Sequence, residues 1–185
     1  WSVFMPMPKR MRSTRSSRGV SEARMPSPRD APLAPGDPAP LFTLPAVGTG
    51  GEQFELSLAE LVAAGPVLLV FYQDDGMPVC TAELKAFAQE HALLTGSGVQ
   101  VAAINTNGLG SHQRFQERDR YPFPLISDFF GDVVKAYGMW DRDEEKSRRG
   151  VVIVGQDGRV AYALPHFNPG SVSTFEEIFR ALGLA

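Results

Sequence analysis

A chain of 185 residues with 43% hydrophobic and 21% charged residues, a single cysteine and a net charge of −3 has the length and composition of one globular domain with an arm. One cysteine excludes an internal disulfide, and no apolar stretch approaches the roughly 18–20 residues needed to cross a bilayer, so neither a disulfide scaffold nor a membrane span is expected. Residues 1–30 hold seven basic side chains against Glu22 and Asp30, a balance of +5 that leaves −8 for residues 31–185; an acidic body argues against nucleic-acid binding, which uses a basic face.

Residues 1–29 are rich in Arg, Ser, Met and Pro and lack a sustained apolar period. An organelle transit peptide, an upstream extension ahead of a start at Met25, and a disordered tail all fit, whereas the apolar run of about 7–15 residues that marks a secretory signal is missing. Six prolines between Pro26 and Pro40 predict an extended lead-in. Residues 1–36 therefore read as a disordered, basic and proline-rich extension, and 37–185 as the folded domain.

Short strands are expected at Leu41–Leu44 and Phe54–Leu56 around the glycine-rich turn Gly48–Gly51. Ser57 and Glu60 have capping-box spacing, which predicts a helix over Leu58–Ala64 stopped by Gly65. The run from Pro66 to Tyr72 lacks polar alternation and reads as a buried parallel strand. After it, Leu84, Phe87, Ala88, His91 and Leu94 fall on one face of a helix, with Pro78 in its first turn and its end near Gly96 and Gly98. Val99–Ile104 is a second buried strand. Ser111 is expected to cap a polar helix reaching Arg120, with Pro122 and Pro124 bounding the next turn and a helix over Phe129–Tyr137 stopping at Gly138. Asp141–Arg149 reads as a solvated charged loop. Val151–Val154 and Arg159–Leu164 form a hairpin through Asp157-Gly158, and Ser173 with Glu176 opens the last helix. Strand-helix alternation followed by a hairpin predicts an α/β fold with a central mixed sheet and helices on both faces.

This order places Cys80 at the start of a helix that follows a central strand. The partial positive charge and free N–H groups of a helix start favour a thiolate, a candidate nucleophile; the alternative is a small buried hydrophobe. His91, His112 and His166 lack metal-ligand spacing, so no metal site is expected. Gly108-Leu109-Gly110 is too short for a phosphate loop and reads as a turn. Trp140, Phe129 and Phe130 read as core or interface.

Several blocks resemble the peroxiredoxins of the AhpC/TSA type, thiol peroxidases on a thioredoxin-like fold: Pro38-Ala39-Pro40 with Phe42 and Leu44; Phe71-Tyr72 and Pro78-Val79-Cys80-Thr81 with Glu83; Phe123-Pro124-Leu125-Ile126-Ser127-Asp128 followed by Val134, Ala136, Tyr137 and Gly138; and Arg149 before Val151–Val154 and Asp157-Gly158. The resemblance runs from about residue 37 to the C-terminus and implies a three-layer thioredoxin-like sandwich without a cofactor. It implies reduction of hydrogen peroxide or organic hydroperoxides by Cys80, with Arg149 beside the sulfur, Met77, Pro78 and Val79 at the substrate, and donors from the Val79 and Cys80 backbone. An external thiol or thioredoxin-like reductant would close the cycle, and a homodimer and a cytoplasmic location fit, organelle targeting remaining open. The chain departs from the family pattern twice: Gln73 stands where a proline is expected, and Met77 where a hydroxyl residue is expected. Asp74 and Asp75 would also oppose ionisation of a nearby thiol. Reduced or altered peroxidase activity is therefore one expectation, a non-catalytic or redox-sensing module the alternative, and a dithiol oxidoreductase a third reading that the single cysteine disfavours.

Overall fold

The computed structural model describes residues 25–184; the expectations for residues 1–24 lie outside them. Strands β1 (Thr43–Val47) and β2 (Gln53–Ser57) form a hairpin and lead into helix α1 (Leu58–Ala64). Then come β3 (Val67–Phe71), α2 (Pro78–Gly96), β4 (Gln100–Asn105), α3 (Leu109–Asp119), β5 (Leu125–Ser127) and α4 (Asp132–Ala136). A small ribbon of β6 (Trp140–Asp141) and β7 (Lys146–Ser147), the hairpin β8 (Gly150–Val154) and β9 (Val160–Leu164), and α5 (Val172–Ala181) complete the chain. Seven strands form one sheet in the order β2-β1-β5-β4-β3-β8-β9. The pairs β3–β4 and β4–β5 are parallel and the others antiparallel, so the sheet is mixed as expected.

The central strand β3 is buried along its whole length and serves two cores by alternation, because successive side chains point to opposite faces. Val67, Leu69 and Phe71 pack beneath Leu58 and Val62 of α1 and Val133, Val134 and Tyr137 around α4. Leu68, Val70 and Tyr72 face Cys80, Leu84, Phe87 and Leu94 of α2, Phe115 of α3 and Ile178 of α5. Helices thus cover both faces.

Where the local signal was complete, the boundaries match. Ser57 Oγ accepts from the Glu60 N–H at 3.4 Å, and α1 ends at Gly65. Other expectations shift. The first strand runs over Thr43–Val47 rather than Leu41–Leu44, because Ala46 and Val47 pair with Ile126 and Leu125 of β5, a three-residue strand too short to show a period. Helix α3 starts after Gly108 instead of Ser111, since Ser111 turns its hydroxyl to Asp75. Helix α4 is shorter than Phe129–Tyr137: Gly131 at φ 75 forms its N-cap, and Phe129 and Phe130 stay outside it, exposed. The N-cap of α5 is Ser171, not Ser173; the two hydroxyls bond each other at 2.9 Å. Residues 141–149 are not a plain loop, for Trp140 and Asp141 pair with Ser147 and Lys146.

The lead-in lies along the body of the fold. Leu33 is buried in the first core, and the Gly36 N–H donates to Val160 O at 2.8 Å. At Gly138 (φ 69) an added Cβ would sit 2.1 Å from Ala31 O, so only glycine lets the lead-in pass so close.

Candidate active site

Pro78 occupies the first helical position of α2, where its missing N–H costs nothing. Met77 is the N-cap but supplies no side-chain cap, which leaves helix-start N–H groups open. Cys80 lies in this first turn, fully buried. The sheet brings its cation: Gly150 pairs with Phe71, so Arg149, just before β8, stands at the carboxyl end of β3 beside the loop to Cys80. At Gly150 an added Cβ would approach Leu164 O to 2.6 Å and Met139 Sδ to 2.9 Å, so this turn into β8 needs a residue without one.

Burial pushes the Cys80 thiol above its ordinary value, against the helix start that favours the thiolate. The backbone N–H groups of Asp74 and Gln73 oppose that rise, Glu83 adds to it, and Arg149 opposes it. The loop before α2 therefore also acts on the sulfur, beside the helix start that carries the Val79 and Cys80 N–H groups. Among the described residues no hydrogen bond joins the Arg149 guanidinium to Cys80; its influence on Cys80 and Glu83 is electrostatic. Met77 is half-buried above the sulfur, and the Cys80 S–H points at its Sδ at 3.8 Å. Val79 is half-buried and Pro78 exposed. A cavity of about 100 Å³ lined by Gln73, Asp141, Arg148, Arg149, His166 and Phe167 opens beside these groups.

Asp74 and Asp75 do not act as expected. The Asp74 carboxylate accepts from Lys146 Nζ and from Asn107 Nδ2, clamping the β6–β7 ribbon to the active-site loop. The Asp75 carboxylate is engaged by His112 instead, and it is not among the groups that act on the Cys80 thiol. The carboxyl that presses on the thiol once it ionises is Glu83, which is fully buried with no hydrogen-bond partner on either oxygen. Burial holds it well above the usual carboxylate range, against the pull of Arg149. The sequence marks Glu83 only as part of the cysteine block and gives it no role, though its place three residues after Cys80 and four before Phe87 puts it on the inward stripe of α2.

Glu83 gives a pH prediction. Its folded pKa is raised, so the native state keeps a proton that the unfolded chain releases near pH 4.3, and stability falls as pH rises above that value. Glu83→Gln removes this slope, up to about 1.4 kcal/mol per pH unit. The variant is therefore expected to be more stable than wild type at pH 7 in urea unfolding, with the difference shrinking toward pH 4. It is also expected to lower the Cys80 thiol pKa, read by alkylation rate against pH.

Several known proteins are similar to this chain. A putative peroxiredoxin bcp from Coxiella burnetii is 38% identical over 104 residues, covering 56% of this chain and 66% of that protein. The chloroplastic 2-Cys peroxiredoxin BAS1 of Spinacia oleracea is 28% identical over 160 residues, covering 83% and 59%. The matches thus span about two thirds or less of these relatives' length. Among solved structures, Plasmodium yoelii thioredoxin peroxidase I superposes with a TM-score of 0.73 at 22% identity over 81% of this chain and 91% of its own, and Mycobacterium tuberculosis AhpC with 0.70 at 19% over 83% and 99%. These two similarities establish the fold, a thioredoxin-like three-layer sandwich. The model of the AhpC/TSA family matches residues 35–163, and with the cysteine helix and the arginine strand inside that span, the chain belongs to the AhpC/TSA family of peroxiredoxin-like proteins.

Proposed function

We propose that the protein is a one-cysteine, thiol-dependent peroxidase acting on hydrogen peroxide or organic hydroperoxides. The observation that supports this reading is the convergence of Cys80, two loop N–H groups and Arg149 at one end of β3. The Cys80 thiolate attacks one peroxide oxygen; the O–O bond breaks, the sulfur is oxidised to sulfenic acid, and the departing oxygen takes a proton and leaves as water or an alcohol. Arg149 and the open N–H groups at the start of α2, with Met77, Pro78 and Val79 around them, bind and orient the peroxide. No second cysteine exists to resolve the sulfenic acid. An external thiol or a thioredoxin-like reductant condenses with it, releasing water and leaving a mixed disulfide, which a second thiol then reduces. The exposed Phe129 and Phe130, at the rim of a groove with Leu41 and Leu44, suit a homodimer contact, seen as a mass that doubles with concentration in sedimentation. A lone reduced thiol suits the cytoplasm.

The test is stoichiometric hydrogen peroxide followed by mass spectrometry of the Cys80 peptide with a sulfenic-acid trap. Rapid formation of the trapped adduct is expected, and a thiol that stays reduced overturns the reading. One observation favours a second reading, a slow redox-sensing module: the sulfur is sealed and its S–H points at a thioether. Oxidation of Cys80 without turnover in the presence of excess thiol is the outcome that would select it. The dithiol reading lacks its other thiol.

A further inference from the structure

Beneath the active-site loop lies a buried polar cluster that the peroxide chemistry does not use. The Asp75 carboxylate accepts from Tyr72 OH at 2.6 Å, Ser111 Oγ at 2.7 Å and Asn105 Nδ2 at 3.3 Å, and meets His112 Nδ1 at 2.7 Å. The backbone N–H of Asp75 donates to Asn107 Oδ1 at 2.8 Å. The other imidazole nitrogen, His112 Nε2, lies 3.0 Å from Ile126 O. Both partners of the ring are acceptors, so each ring nitrogen is placed to donate. The His112 side chain is 0% exposed and that of Asp75 5%. Burial alone would raise the Asp75 carboxyl, but hydrogen bonds and charge from His112, with the hydroxyls of Tyr72 and Ser111, hold it below its ordinary value. This is not a hydrolytic triad: Ser111 bonds the carboxylate rather than the imidazole, and no ring nitrogen is free to act as a base.

A buried ion pair is costly unless fully hydrogen-bonded, and this one is. It ties the end of β3, the loop and the first turns of α3 to one point, one residue after the two peptide units whose N–H groups act on Cys80. We propose that Asp75 and His112 are positioning residues for the peroxidatic thiol: their ion pair fixes the peptides of Gln73 and Asp74 so that those N–H groups stay aimed at the sulfur, and so sets how readily it ionises. The inference rests on Cys80 being the reacting group. The other ionisable groups facing the sulfur are Glu83 on α2, Arg149 before β8, Lys146 on β7 and Tyr72 at the end of β3; the variants used below alter none of the first three.

The experiment is the rate of Cys80 alkylation by iodoacetamide as a function of pH, on the full chain, with thermal unfolding recorded in parallel. His112→Gln and Asp75→Asn are each expected to move the alkylation midpoint up by about one pH unit through loss of a charge-assisted hydrogen bond to the thiolate, and to slow peroxide oxidation at pH 7 about tenfold. Ser111→Ala removes one donor at the helix surface and is expected to move the midpoint less in the same direction, while Ser111→Thr, which keeps the hydroxyl, matches wild type. If the ion-pair variants do not fold, Ser111→Ala and Tyr72→Phe carry the test. A lowered melting temperature with an unmoved midpoint overturns the proposal and leaves the pair a structural one. Alkylation needs no peroxide, so a chain that never forms a sulfenic acid still reports the midpoint, and failure of the peroxidase reading is distinguished from failure of this one.

Discussion

Arg149→Gln is expected to slow oxidation of Cys80 by hydrogen peroxide roughly 10²–10³-fold, the usual cost of removing one preorganised donor from developing charge. The side chain has no structural duty to lose. Its backbone carbonyl accepts from the Phe167 N–H at 2.8 Å, a contact the substitution leaves, and among the described residues its guanidinium makes no ion pair within 4 Å. What disappears is the permanent cation that favours the thiolate and holds down Glu83. The alkylation midpoint of Cys80 should rise with the loss of rate. Arg149→Lys keeps the charge but not the planar fork, so it should restore the midpoint more fully than the peroxide rate. Stopped-flow oxidation and pH-dependent alkylation separate the two effects. An Arg149→Gln variant that oxidises at the wild-type rate would show that the sulfur is activated by the loop alone.

What could be read from the sequence depended on how local each signal was. The β3 strand and the cysteine helix were legible because seven apolar residues, a proline at N1 and an inward stripe of Leu84, Phe87 and Leu94 all lie within thirty residues. Helix α1 was legible to the residue, since Ser57, Glu60 and Gly65 supply both ends. By contrast β5 is held by its neighbours: three residues between β1 and β4 carry no period. Lys146 was hidden in a charged segment whose default is solvent, and only the folded β6–β7 ribbon brings it to Asp74. Asp75 and His112 lie 37 residues apart, and each alone suggested something else, a repulsive carboxylate and an isolated histidine. One signal was available. His112, Phe115 and Gln116 fall at i, i+3 and i+4, all buried, so a histidine on the inward face of a polar helix required a buried partner. The same reasoning applies to Glu83, and in both cases the partner or its absence is a tertiary fact.

Met77→Thr is expected to act in the opposite direction to Arg149→Gln, raising the rate of peroxide oxidation at pH 7 roughly 10–100-fold. The argument starts from the sulfur's contact. The thioether accepts the Cys80 S–H at 3.8 Å, and an acceptor stabilises the protonated thiol while giving nothing to the thiolate. A threonine hydroxyl at that position can donate to the anion, and a hydrogen bond to a charged group is worth about 1.5–3 kcal/mol, which as a barrier change corresponds to the stated range. The shorter side chain also uncovers a sulfur that is otherwise fully buried, giving the peroxide a path beside the cavity at Arg149. Met77→Ala opens the same path without a donor. If the two variants gain equally, access limits the natural protein; if only the threonine gains, protonation of Cys80 does. Should neither gain, Met77 is neither lid nor proton trap, and the burial of Cys80 beside Glu83 is left to account for a slow thiol, which the Glu83→Gln variant then measures directly.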